Sequence, residues 1–191
     1  MMNSNLSSYI RRYIDISDQE DELFQSFLNP SILKKKEFLL EEGKTCKARY
    51  YVADGCLRFF YIDYKGNEQI THFGIDNWWI TDYESLINHT PSKFYIQATE
   101  DTNLLVLDQE SFDKLCIELP KSERLFRIIM EKTYIAAQKR MEYMFSLSGE
   151  ELYLHFIAAN PEFAQRVPQY MIASYLGMTP EFVSKIRRNK R

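Results

Sequence analysis

The chain has 191 residues, 45% of them hydrophobic, and its 24 Lys and Arg against 27 Asp and Glu leave a formal net charge of -3. That length suits one large domain or a medium domain with a small one, and the apolar content is enough to fill a core. With no run near the roughly 18 apolar residues of a membrane span, no leader-like N-terminus, and only Cys46, Cys56 and Cys116, widely spaced, the expectation is a soluble cytoplasmic protein that makes no membrane contact, no disulfide framework and no zinc site.

Residues 6–28 read as two short helices, the second opening on "SDQE", where Ser17 and Glu20 have capping-box spacing. Strand-like runs follow over residues 34–108: "KKEFLL", "ARYYVA", "CLRFFYIDY", "EQITHF", "KFYIQA" and "NLLVL". Turn residues separate them, including "EEGK", "KGNE" and an Asp54-Gly55 pair that suits a tight hairpin. Short strands at close spacing, mostly without a helical run between them, predict an antiparallel roll or sandwich. Such a roll serves equally as a ligand container or as a plain scaffold.

Past Asp108 the period changes to 3.6. "QESFDKLCIELP" predicts a short helix, and "KSERLFRIIMEKTYIAAQKRMEYMFSL" a helix of about 25 residues, roughly 37 Å long. Leu125, Phe126, Ile128, Ile129, Ile135, Ala136, Met141, Met144 and Phe145 form an apolar stripe along it, with heptad regularity broken at Lys132 and Lys139. The stripe reads either as a dimer seam or as the face of a helix lying across the roll. A further helix begins at "SGEELYLHFIAANPEF", where Ser148 and Glu151 repeat the capping-box spacing and Asn160-Pro161 ends the run.

The last stretch, "PQYMIASYLGMTPEFVSKIRRNKR", carries one acidic side chain, Glu181, among Lys185, Arg187, Arg188, Lys190 and Arg191, although the whole chain is acidic. A local basic surface of this kind suits a polyanion. Gly177 permits a left-handed helix end, and Thr179-Pro180 restarts a helix with a cap residue and proline at its first position. Spacing places Phe182, Val183 and Ile186 on one face of the second helix, where Ile172 and Leu176 can pack on Val183 and Ile186, with Ala173 allowing close approach. Glu181, Ser184, Lys185 and Arg188 fall on the other face. This is helix-turn-helix geometry with a polar face for a major groove of double-stranded DNA. The candidate DNA contacts are Gln169, Thr179, Pro180, Glu181, Ser184, Lys185, Arg188, Lys190 and Arg191. Glu181 suits cytosine N4, Lys185 or Arg188 suits guanine O6/N7, and Lys190 and Arg191 suit phosphates.

In this order, roll, long helix and helix-turn-helix resemble the Crp/Fnr family of bacterial transcription regulators, above all its short Bacteroidetes-type members. The likeness is specific in "RVPQYMIASYLGMTPEFVSKIRR" at 166–188 and in "FSLSGEELYLHF", and looser in "LLEEGK" and "YYVADGCLRFFYID". The fold class is then α+β. It has an antiparallel, cyclic-nucleotide-binding-like β-roll with flanking helices over 1–120, a dimerisation helix over 121–147, and a helix-turn-helix domain over 148–191 without an extended wing. The resemblance implies a homodimer, a palindromic promoter site and contact with RNA polymerase. It also places Thr81-Asp82 and Ser92-Lys93 where nucleotide-binding members carry Gly-Glu and Arg-Ser or Arg-Thr. The phosphate-gripping arginine is absent, and Lys93 is a point charge without its bidentate fork.

Cyclic AMP or cyclic GMP is therefore not expected, and the candidate effector pocket is Asp82, Tyr83, Ser92 and Lys93. Three scattered cysteines cannot ligate the iron-sulfur cluster of an oxygen sensor, and His72, His89 and His155 are too isolated to suggest haem. Trp78, Trp79 and Tyr83 either line a pocket or belong to core and dimer contacts. A metal-dependent enzyme of the cupin type lacks its clustered histidines, so no enzyme is expected. The competing reading is a non-catalytic ligand-sensing or scaffold protein whose degenerate helix-turn-helix binds a protein partner.

Overall fold

Asn3 and Ser17 open the first two helices by supplying acceptors for first-turn amides that no helical carbonyl reaches. In the computed structural model, which describes residues 3–189, these are α1 (Ser4–Arg11) and α2 (Asp18–Ser26). The capping box at Ser17 and Glu20 forms in both directions, as its spacing predicts. Leu6, Ile10 and Phe24 of these helices are fully buried.

Eight strands follow among the described residues: β1 (Asn29–Leu33), β2 (Phe38–Leu40), β3 (Ala48–Asp54), β4 (Cys56–Ile62), β5 (Glu68–Ile75), β6 (Trp78–Ile80), β7 (Tyr95–Ala98) and β8 (Thr102–Asp108). They form two four-stranded sheets, β1-β8-β3-β6 and β2-β7-β4-β5, the antiparallel roll that the strand pattern predicts. Alternate residues of β3 divide between two cores. Tyr50 and Val52 join Leu57, Phe59, Ile96 and Leu104 inside the roll, while Tyr51 meets α1 and α2 outside it. The roll is therefore filled by its own side chains.

The strand reading departs from the structure at three places. β1 carries Pro30 and pairs only with β8, an edge position where proline is tolerated and alternation is weak. β6, with three residues, and α3 (Tyr83–Asn88), with six, are too short to show a period. The Asp54-Gly55 pair is not a hairpin turn, because β3 and β4 belong to different sheets. Gly55 has φ +118°, and a Cβ there would stand 2.5 Å from Thr102 Oγ1. Glycine is needed for a close crossing between sheets, not for a two-residue turn. The "KGNE" turn does close the β4–β5 hairpin, around Asp63. Its carboxylate accepts from the Asn67, Lys65 and Gln69 nitrogens, and these bonds hold its pKa down to about 2.

Helices α4 (Gln109–Glu118) and α5 (Lys121–Ser146) come next. Leu125, Phe126 and Ile129 of α5 are buried in the core built on α1 and α2, with Phe126 stacked on Phe24 at 6.4 Å between centroids. Every residue from 130 to 139 is exposed. The continuous stripe expected along this helix is thus divided, because α1 and α2 cover only its first turns.

The remaining helices are α6 (Gly149–Ala159), with the expected capping box at Ser148 and Glu151, α7 (Pro161–Arg166), α8 (Gln169–Tyr175) and α9 (Pro180–Asn189). Asn160 ends α6 as expected, but Pro161 also starts α7, as proline at a first helical position can. The chain divides into two compact units: residues up to Tyr61 with His72–Glu131, and Ile62–Thr71 with the residues from Lys132 on.

Candidate nucleic-acid interface and roll cleft

α8 and α9 meet as the sequence predicts. Ile172, Ala173, Leu176, Val183 and Ile186 are all buried, so the two helices share one small core. Gly177 takes φ +69° while the Met178 amide donates back to Ala173 O at 2.9 Å, a Schellman closure that only a left-handed residue allows cheaply. Thr179 Oγ1 then accepts from the Phe182 amide at 3.2 Å and restarts the chain as α9.

This packing leaves Glu181, Ser184, Lys185 and Arg188 exposed, on the side of α9 opposite Val183 and Ile186. Among the described residues neither Lys185 nor Arg188 is engaged in an ion pair, so both cations are available to an outside anion. Thr179 and Pro180 are exposed at the start of the same helix. Gln169 is half-buried, its Oε1 accepting from the Tyr153 hydroxyl at 2.9 Å. Lys190 and Arg191 lie outside the described residues.

One placement differs from the expectation. Phe182 remains 43% exposed instead of joining Val183 and Ile186, and its ring lies over Gly149, where a Cβ would come within 2.8 Å of it. One residue is a 100° step on a helix, which carries Phe182 to the rim of the apolar face.

Two side chains that no motif singles out also hold this unit. Ser174 Oγ accepts from the Ile70 amide at 3.0 Å and donates to Glu68 O at 2.8 Å. Arg140 donates to Thr71 O and to Tyr175 O, and its guanidinium lies 4.0 Å from the Tyr175 ring centroid.

In the other unit, Asp82, Ser92 and Lys93 do come together, with Glu84, Ser85, Thr90 and Pro91, around a shallow cleft of about 220 Å³. Its buried polar groups are engaged with each other. Asp82 Oδ1 accepts from the Ser85 amide at 3.2 Å and so caps α3, while Oδ2 accepts from the Ser92 hydroxyl at 2.6 Å. Ser92 Oγ in turn accepts from the Phe94 amide at 2.9 Å. Asp82 and Ser92 are only 5% and 3% exposed, so any ligand has to displace these bonds. Lys93 is exposed, and Thr81 donates to Ala48 O at 2.7 Å.

Tyr83 does not line the cleft. Its ring centre lies 5.9 Å from the Arg49 guanidinium, and burial pushes its hydroxyl pKa up. Trp79 packs between Tyr51 and Phe126, Trp78 is 53% exposed, and neither lines the cleft. Among the described residues no group of three or more His, Cys, Asp or Glu side chains is placed to hold a metal, and no helix is long and apolar enough to cross a membrane.

Residues 31–118 match the model of the cyclic nucleotide-binding domain. The chain is 28% identical over 170 residues to the transcriptional activator protein Anr of Pseudomonas protegens, covering 81% of this chain and 67% of that one. It is 27% identical to the transcriptional activator protein FnrA of Stutzerimonas stutzeri, with the same coverage. Its fold is similar to that of FixK2 from Bradyrhizobium japonicum, with a TM-score of 0.72 at 18% identity over 85% of this chain and 83% of that one.

Proposed function

We propose that the chain is a DNA-binding transcription regulator of the Crp/Fnr type that reads a palindromic promoter site as a homodimer through Glu181, Ser184, Lys185 and Arg188. The observation that carries this reading is the exposed mixed-charge face of α9, backed by a buried core and fixed by a capped turn. A carboxylate beside cations suits base edges, where a purely basic face suits phosphates. Thr179, Pro180 and Gln169, at the helix starts, act as backbone contacts, joined by Lys190 and Arg191. RNA polymerase contact belongs to the same reading.

The exposed half of α5 supports the homodimer. Met130, Tyr134, Ala137, Met141 and Met144 follow one another at alternating spacings of four and three, the heptad seam of paired helices. Lys132 and Lys139 interrupt a different stripe, through Ile128 and Ile135. Phe145, 88% exposed, stands at the end of this half. The roll then works without cyclic nucleotide. Asp82 and Ser92 are bonded to each other, and among the described residues no arginine lines the cleft.

The test begins with selection of bound duplexes from a random pool. Glu181→Ala or Lys185→Ala should cost about 1–3 kcal/mol at the selected site and relax base preference there. Uniform loss with unchanged preference would remove base reading from this helix. Absence of any selected duplex would favour a protein partner. Cyclic AMP in large excess should leave the melting temperature unchanged, whereas a ligand at 100 times its dissociation constant adds about 2.7 kcal/mol.

A further inference from the structure

β5 is the last strand of its sheet among the described residues, so the side facing away from β4 presents peptide groups that no described strand pairs. In the unit that contains the helix-turn-helix, Ser174 takes the strand's place. One hydroxyl accepts from the Ile70 amide and donates to Glu68 O, closing the two outward groups of a single edge position. Next to it, Arg140 grips Thr71 O of the same strand and Tyr175 O at the end of α8. A cation there also suits the negative end of a helix. The grip is made although Arg140 Nε is buried with no hydrogen-bond partner among the described residues, a cost that the carbonyl bonds and the ring stacking on Tyr175 must offset.

The geometry points to Arg140 and Ser174 as positioning residues for DNA binding, which fasten α8 to the hairpin Ile62–Thr71 and thereby fix the attitude in which α9 is presented. Neither residue lies on the exposed face of α9. That face stays open while α8 is fastened, so the fastened arrangement is compatible with reading DNA. The inference rests on the reading of α8 and α9 as the DNA-binding motif. Base contacts tolerate displacements of only about 0.5 Å and 10–20°, whereas phosphate attraction tolerates much more. Loosening α8 should therefore lower specific affinity and leave non-specific binding alone.

The experiment uses the full chain, a duplex selected by the wild-type protein, and a random duplex. In Ser174→Ala, amide exchange at Ile70 should quicken roughly tenfold, the effect of one lost hydrogen bond. Affinity for the selected duplex should fall by a similar factor, with the random duplex and the salt slope unchanged. Ser174→Thr keeps the hydroxyl and should restore both. Arg140→Lys keeps the charge but not the two-carbonyl fork, and should behave like Ser174→Ala. Unchanged exchange at Ile70 overturns the docking. Quickened exchange with unchanged DNA affinity, or equal losses on both duplexes, overturns the positioning role. A wild-type protein that selects no duplex defeats the DNA-binding reading instead, and exchange at Ile70 still decides the docking.

Discussion

The two halves of α5 are built from similar residues and have opposite surroundings. Leu125, Phe126 and Ile129 are buried among α1, α2 and α4 residues, whereas Met130, Tyr134 and Met141 face outward. An apolar stripe on a helix does not say by itself what covers it, or whether anything does. In the first half the cover is the chain's own N-terminal helices. The second half is exposed, and the homodimer proposed above would cover it with the matching heptad of a second copy.

The largest test of this difference is Leu125→Ala. Removing a fully buried leucine should cost roughly 2–5 kcal/mol in urea unfolding, with the midpoint lowered and the slope unchanged. Met130→Ala, measured at a concentration where the protein is monomeric, should stay within about 0.5 kcal/mol. Equal costs would abolish the distinction between the halves. A smaller but sharper effect is expected from Tyr134→Glu combined with Met141→Glu. Buried seam charges should weaken dimerisation by at least about 2 kcal/mol, some 30-fold, in sedimentation, and leave monomer unfolding as it was. An unchanged dimer would show that this stripe is not the seam. Ile135→Glu, on the stripe shared with Lys132 and Lys139, should weaken the dimer less than that pair does. The smallest effect belongs to Lys139→Ala, an exposed position expected to change stability by no more than about 0.5 kcal/mol.

Much of the unit that carries α8 and α9 was legible residue by residue. Gly177, Thr179 and the spacing from Glu181 to Arg188 state a turn, a cap and two faces, all within a few residues of one another. The capping boxes at Ser17 and Ser148 were legible for the same reason. The roll was legible as strands, but not as sheets. The same Asp54-Gly55 that signals a hairpin also suits a crossing between sheets, and only Thr102, pressed against Gly55, distinguishes them. The cleft at Asp82 and Ser92 was half legible. The resemblance brought Asp82 and Ser92 together, but not the hydrogen bond between them, and Tyr83 faces Arg49.

By itself, then, the sequence determined the capped starts of α2, α6 and α9, the order of roll, long helix and helix-turn-helix, and the two faces of α9. Backbone preference and a 3.6-residue period act over a single turn, and neighbours in the chain are enough to express them. The tertiary structure alone decided which half of α5 is core, that Gly55 carries the chain from one sheet to the other, and that Ser174 closes the edge of β5. Ser174 meets Ile70 and Glu68 across 104 and 106 residues of chain. A hydroxyl in the last turn of a helix has no local sign of such a partner, because hydrophobic burial is non-directional and only the packed fold specifies which distant backbone groups arrive beside it.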